Sequence, residues 1–135
     1  YLFKNDFLGM TWGMGMTFIV QSSSVTTSLI VPLAGAGIVK LRSIFPYTMG
    51  ANIGTTGTAL LAALATGNPV AVTTAFAHLV FNIFGILIFY PLKFIPITLA
   101  EKASEYTSQS KKNLLIFLVL YSMIYFVPII FIIFS

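Results

Sequence analysis

The hydrophobic pattern divides this chain into long apolar runs separated by short charged stretches. No charged side chain occurs from Phe7 to Val39, from Ser43 to Leu92, or from Asn113 to Ser135. Such runs read as membrane-embedded, since a spanning helix needs about 20 predominantly apolar residues. The first run has 33 residues, too many for one span and too few for two spans with a turn. Gln21-Ser22-Ser23-Ser24 interrupts it near the middle, and Thr26, Thr27 and Ser28 extend the hydroxyls. Each arm of roughly 14–15 residues reaches on the order of 21–23 Å at the helical rise, short of the ~30 Å hydrocarbon core. The lengths predict a re-entrant helical hairpin over 7–39 with Gln21–Ser24 at its tip. Unpaired polar groups are costly in hydrocarbon, so the tip must be buried in protein or line a polar cavity.

The second run predicts two elements. Residues 44–65 are long enough to span but contain Gly50-Ala51-Asn52-Ile53-Gly54-Thr55-Thr56-Gly57-Thr58. Glycines mixed with Asn and Thr weaken a helix, so a discontinuous transmembrane helix is expected, unwound after Met49 and resuming near Thr56. Thr66-Gly67-Asn68-Pro69 reads as a turn. A conventional transmembrane helix comes next, over 70–90. An interfacial loop covers 91–112, with a short amphipathic helix at Ile97–Tyr106 that spaces Glu101 and Glu105 at i, i+4. A last transmembrane helix covers 113–134, kinked near Pro128. The expected fold is all-α integral membrane, a single membrane domain over 1–135. It combines a re-entrant hairpin, a discontinuous helix and two conventional spans, as in one half of an inverted-repeat transporter.

Composition agrees: 58% of residues are hydrophobic and 7% charged, against roughly 25% charged in soluble domains. The net charge of +4 resides in Lys4, Lys40, Arg42, Lys93, Lys102, Lys111 and Lys112, offset by three acidic residues. With a hairpin over 7–39, all seven basic residues fall on one face of the membrane, as cytoplasmic orientation prefers. The charge therefore describes loops, and no nucleic-acid partner is expected. There is no cysteine, which excludes disulfides, thiolate metal sites and a cysteine nucleophile. Residue 1 is Tyr and no signal peptide is visible, the pattern of an excised piece or a processed product.

Two broken elements form the pattern of a transporter site near the bilayer midplane. The N–H groups that open the second arm, near Ser22–Ser24, and the half-helix after Thr55 suit an anion. Freed carbonyls, with the side-chain carbonyls of Gln21 and Asn52, suit a hard cation such as Na+. Neither break contains Asp or Glu, so no carboxylate proton relay is visible. A plainer reading stays open: membrane-helix hydroxyls and Gly-rich stretches also serve packing. His78 and Asn82, at i, i+4, read as a bundle-facing pair. A membrane scaffold or subunit with such packing devices is the alternative to a transporter. A channel lacks a filter sequence here, and an intramembrane enzyme lacks a base near Ser22–Ser24.

Gly15-Met16-Thr17-Phe18-Ile19-Val20-Gln21-Ser22-Ser23-Ser24-Val25, with the later Gly50–Thr58 block, resembles the type II sodium-dependent phosphate cotransporters. That family carries Gln-Ser-Ser-Ser twice, in two inverted repeats, each with an Asn-Ile-Gly-Thr block after it. His78-Leu79-Val80-Phe81-Asn82-Ile83-Phe84-Gly85 with Tyr90-Pro91 resembles the segment after the family's second repeat motif. The resemblance implies Na+-coupled symport of inorganic phosphate by alternating access, with no cofactor beyond the coupling ion. It implies sodium ligands among Gln21, Ser22, Thr55 and Thr58. It implies phosphate contacts from Ser22, Ser23, Ser24, Asn52 and Thr56. The implied setting is a multi-pass protein of the cell membrane, plasma or inner, in contact with lipid. Only one Gln-Ser-Ser-Ser copy is present, so the partner repeat must come from the same or a second polypeptide. Gly57 stands where relatives can carry a hydroxyl, a departure that takes one oxygen out of the set.

The hairpin has a direct test. Single cysteines at Lys4 and Lys40 are expected to react with an impermeant thiol reagent from the same side of the membrane. Reaction from opposite sides would make 7–39 a span.

Overall fold

The computed structural model describes residues 3–134. These form six helices: α1 (Asp6–Val20), α2 (Ser23–Gly35), α3 (Leu41–Thr66), α4 (Pro69–Phe89), α5 (Phe94–Gln109) and α6 (Lys111–Phe134). They fall into two compact units, Tyr1–Phe94 and Ile95–Ser135. The first unit is organised on α3, against which α1, α2 and α4 all pack.

Local chemistry sets the helix ends. The Asn5 side chain accepts from the Leu8 N–H at 2.8 Å and opens α1. α1 closes at Gln21, whose φ of 57° is left-handed and whose N–H donates to the Thr17 carbonyl. Ser22 is the N-cap of α2, its hydroxyl oxygen accepting from Val25 N–H at 3.3 Å. The break between the first two helices is thus two residues long. Gly67 (φ 64°) ends α3, and Asn68 caps α4 by accepting from Val70 N–H at 2.9 Å, with Pro69 at the first helical position.

The packing of α1 on α3 is backbone to backbone. A Cβ added at Gly13 would lie 2.0 Å from the Tyr47 carbonyl oxygen, and one at Gly50 would lie 1.8 Å from that of Met10. Gly54 faces Thr17 and Gly57 faces the ring of Phe18. Numbers rise together on both helices, so α1 and α3 run in the same direction. α2 returns along α3 the opposite way. The Tyr47 hydroxyl donates to the Thr26 carbonyl at 3.3 Å. Ile30, Val39 and Tyr47 form a buried cluster joined by Phe3 and Ile44. The residues that lead into α1 and those just beyond α2 therefore meet in one place.

The expectation of a discontinuous helix over 44–65 is overturned: α3 is continuous from Leu41 to Thr66. The glycines that weaken the isolated helix are what allow α1 to approach, and the packing offsets the lost propensity. The hydroxyls of Thr48, Thr55, Thr56, Thr58 and Thr66 turn back onto carbonyls of α3 itself, which adds no unmet polar group. In the interfacial stretch over 91–112, the helix expected at Ile97–Tyr106 is part of the longer α5, Phe94–Gln109.

Among the described residues two helices are long and apolar enough to cross a membrane: Pro69–Phe89, of 21 residues, and Lys111–Phe134, of 24. α4 buries only Ala75. Along α6 the rings of Phe117, Tyr121 and Tyr125 succeed one another at i, i+4, with the two tyrosine hydroxyls 3.2 Å apart.

Glycine substitutions check the α1–α3 contact. Gly13→Ala and Gly50→Ala drive a methyl into backbone and are expected to cost about 1–3 kcal/mol or more. Gly15→Ala meets nothing within 4 Å and should leave stability unchanged or slightly raised. Thermal unfolding in detergent reads the difference.

Candidate functional site

The break at Gln21–Ser22 opens on a cleft of about 560 Å³ lined by Phe18, Gln21, Thr55, Thr58, Ala59, Leu61 and Ala62. α1 supplies Phe18 and its cap Gln21. α3 supplies the rest, at the helical spacing of three and four residues that keeps Thr55, Thr58, Ala59 and Ala62 on one face. Among the described residues Gln21 is the only non-glycine with positive φ. That conformation turns the chain out of α1 at the cleft wall, and it is tolerated by few residue types.

Hydrogen bonding gives the polar groups a direction. Thr55 Oγ1 donates to the Ala51 carbonyl at 3.2 Å, and Thr58 Oγ1 donates to that of Thr55 at 2.9 Å. A hydroxyl whose proton is committed to the backbone presents only lone pairs elsewhere. Those two threonines are therefore acceptors toward the cleft, as is the Gln21 side-chain carbonyl. Ser22 is the opposite case: its oxygen accepts from Val25 N–H, so its own proton remains available. By helix geometry the N–H groups of Ser23 and Ser24 have no acceptor within α2. The first turn of α2 is thus a donor surface with a partial positive charge.

Of the sequence-derived sodium set, Gln21, Thr55 and Thr58 share the cleft, and Ser22 adjoins it in sequence as the cap of α2. Ser22, Ser23, Ser24, Asn52 and Thr56 are not among the cleft-lining residues. Ser22 and Ser23 are half-buried and Ser24 is exposed. Asn52 is exposed, and its backbone carbonyl accepts from Asn82 Nδ2 at 3.4 Å, a tie between α3 and α4. Thr56 is fully buried, with its hydroxyl donating to Ile53 O at 2.9 Å. His78 is exposed on α4 and makes no such tie.

Sequence reasoning did not single out Phe18, Ala59, Leu61 or Ala62. The alanines were findable, since they continue the Thr55–Thr58 face. Phe18 was not, because its place depends on its contact with Gly57. Thr26, read from the sequence as one of the hydroxyls that extend the break, lies one turn after it, and Thr17, which was not singled out, lies one turn before. Both are fully buried, and their hydroxyls have no hydrogen-bond partner. Replacing an unpaired buried hydroxyl with a methyl of the same shape removes a desolvation cost. Thr17→Val and Thr26→Val are each expected to leave thermal stability equal to the parent's or above it. A loss of stability would mean that the hydroxyl has a partner, such as a water or an ion.

The family model described as Na+/Pi-cotransporter matches residues 1–125. Sodium-dependent phosphate transport protein 2B of Bos taurus is 42% identical over 120 residues, covering 85% of this chain and 17% of that protein. Protein 2C of Rattus norvegicus is 44% identical over 121 residues, covering 86% of this chain and 20% of that protein. Protein 2A of Ovis aries is 41% identical over 135 residues, covering 93% and 21% respectively. The chain thus spans about a fifth of the length of these relatives. No solved structure is a significant match.

Proposed function

Because the chain belongs to the Na+/Pi-cotransporter family, we propose that it forms one repeat of a symporter carrying inorganic phosphate with Na+ by alternating access. Its relatives 2A, 2B and 2C are sodium-dependent phosphate transport proteins, not enzymes. The cleft at the helix break carries the reading: Gln21, Thr55 and Thr58 line it with neutral oxygen acceptors. Such oxygens replace the hydration shell of a hard cation without a carboxylate.

In this reading the hairpin α1–α2 is re-entrant and its tip reaches the bilayer midplane. Gln21, Ser22, Thr55 and Thr58 hold Na+. Phosphate is held on the donor side of the break by Ser22, Ser23 and Ser24 with the N-terminus of α2. Asn52 joins that set, and so does Thr56, which must first be uncovered by a shift of the helices around it. Na+ lies between the anion and the negative end of α1, so each ion screens the field that the other meets. No cofactor is required. The partner repeat supplies the opposing half of the site, and the assembly sits in the plasma or inner membrane among lipids as a multi-pass protein.

A membrane scaffold remains a second reading because Gly50 and Gly54 serve helix packing. The discriminating measurement is uptake of phosphate into proteoliposomes by the full-length protein, in Na+ and in choline. Uptake is expected in Na+ only, together with thermal stabilisation by Na+. Equal uptake in both salts, or no uptake and no Na+ stabilisation, rules out the symport reading.

Gln21→Ala tests the division of ligands. It deletes one cation-facing oxygen and leaves the α2 amides and serines in place. Losing one ligand to a charged species costs on the order of 1.5–3 kcal/mol, roughly a ten- to hundredfold loss in sodium affinity. Phosphate affinity falls at low Na+ through reciprocal coupling and is expected to recover at saturating Na+. Poor phosphate affinity at saturating Na+, with sodium activation unchanged, would move Gln21 to the anion.

A further inference from the structure

Asp6, at the start of α1, is the one acidic residue in the sequence before Glu101. Its carboxylate is ion-paired with the Lys93 ammonium beyond the end of α4. The same Oδ2 accepts from the Tyr90 hydroxyl at 3.2 Å. The Lys93 ammonium also lies 4.8 Å from the centroid of the Tyr90 ring, within cation–π range. The hydrogen bond to Asp6 is the main cause that holds the Lys93 pKa above its ordinary value, against an opposing effect of burial. Two side chains from the end of the unit's sequence, Tyr90 and Lys93, thus converge on one carboxylate oxygen of Asp6 near its start.

The helices these groups belong to do not pack on each other. α1 packs on α2 and α3, whereas α4 packs on α3 alone. The joints of the unit differ in strength. α1 is held to α3 by the Gly13 and Gly50 contacts, where no side chain can be interposed and no sliding is possible without collision. α2 is anchored by the Ile30–Val39–Tyr47 cluster. α4 buries only Ala75; it packs on α3 and is joined to it by the turn at Gly67 and by the Asn82–Asn52 hydrogen bond. α4 touches neither α1 nor α2, so a displacement of its far end against α1 is resisted only by its packing on α3, the Asn82–Asn52 tie and this cluster. The far end of α4 is tied to α1 by Asp6, Tyr90 and Lys93. Lys93 and Asp6 are 37% and 32% exposed, and half-exposed ion pairs are cheap to break.

We propose that Asp6, Tyr90 and Lys93 form a latch that closes one conformation of the protein and opens once in each transport cycle. The proposal rests on the symport reading. It gives these three residues a gating part distinct from the ion site, which lies toward the other end of α3.

The test uses the full-length protein with Asp6→Cys and Lys93→Cys, bridged by a short bis-methanethiosulfonate linker. Cross-linking is expected in the folded protein. It should reduce Na+-dependent phosphate uptake to the level in choline, with recovery on reduction, while each single cysteine is insensitive to the linker. Undiminished uptake by cross-linked protein would make the three residues a fixed staple and overturn the latch. Failure to cross-link an active double mutant would overturn it too, since the groups would not be neighbours. Uptake by the parent is measured alongside, and its independence from Na+ would refute the symport reading instead. A second measurement uses a cysteine at Ala62, which lines the cleft. Asp6→Asn and Lys93→Met should each change its rate of labelling, and the swap Asp6→Lys with Lys93→Asp should restore the parental rate. Labelling unmoved by either single change would also overturn the latch.

Discussion

Contact between the backbones of α1 and α3 is the constraint on which the rest of the first unit depends. At Gly13 and Gly50 the two chains are so close that a single methyl would overlap a carbonyl of the other helix. Contact of this kind fixes register as well as distance. A slip of one residue would bring Trp12 or Met14 to the place of Gly13, and Met49 or Ala51 to that of Gly50. With register fixed, the contact carries on through Thr17–Gly54 and Phe18–Gly57. The next turn of α1 then ends at Gln21 beside Thr55 and Thr58. The cleft is the continuation of the seam past the point where α1 stops.

The polarity of that cleft comes from spent protons. Thr55 and Thr58 give their hydrogens to α3, which an isolated helix would also accept. The side left facing outward is acceptor. Across the break, Ser22 has its oxygen spent on α2 and keeps a hydrogen to give. Similar hydroxyl groups thus act as acceptors on one wall and as donors at the neighbouring helix end. The difference arises because the threonines lie within a helix and Ser22 precedes one.

The sequence is informative about the break and misleading about α3, for one physical reason. Four polar residues in an apolar run demand an exception to helix within their own neighbourhood, so the location of the break at Gln21–Ser22 was legible. Gly50, Gly54 and Gly57 lower helix propensity locally, and local reasoning unwinds the helix there. Whether they unwind it or pack it depends on α1, some 40 residues earlier, whose Gly9 and Gly13 face α3. Glycines spaced by four on both segments, Gly9 and Gly13 with Gly50 and Gly54, are the signal that decides for packing, which the sequence leaves open beside unwinding. Gln21, Thr55 and Thr58 were drawn together by family resemblance, since nothing local joins residues so far apart.

The parallel course of α1 and α3 also sets an order of assembly. Antiparallel neighbours pair as soon as the second is made, but parallel ones require an intervening return, here α2. Until α3 has been synthesised, the glycine face of α1 has no backbone to meet. The hairpin arms, of 15 and 13 residues, must wait without it. A nascent chain halted after Gly37 would hold a polar tip and a grooved helix with no template for either. Completion of α3 is therefore the step at which the α1 seam can close, and a side chain at Gly50 obstructs that closure from the start.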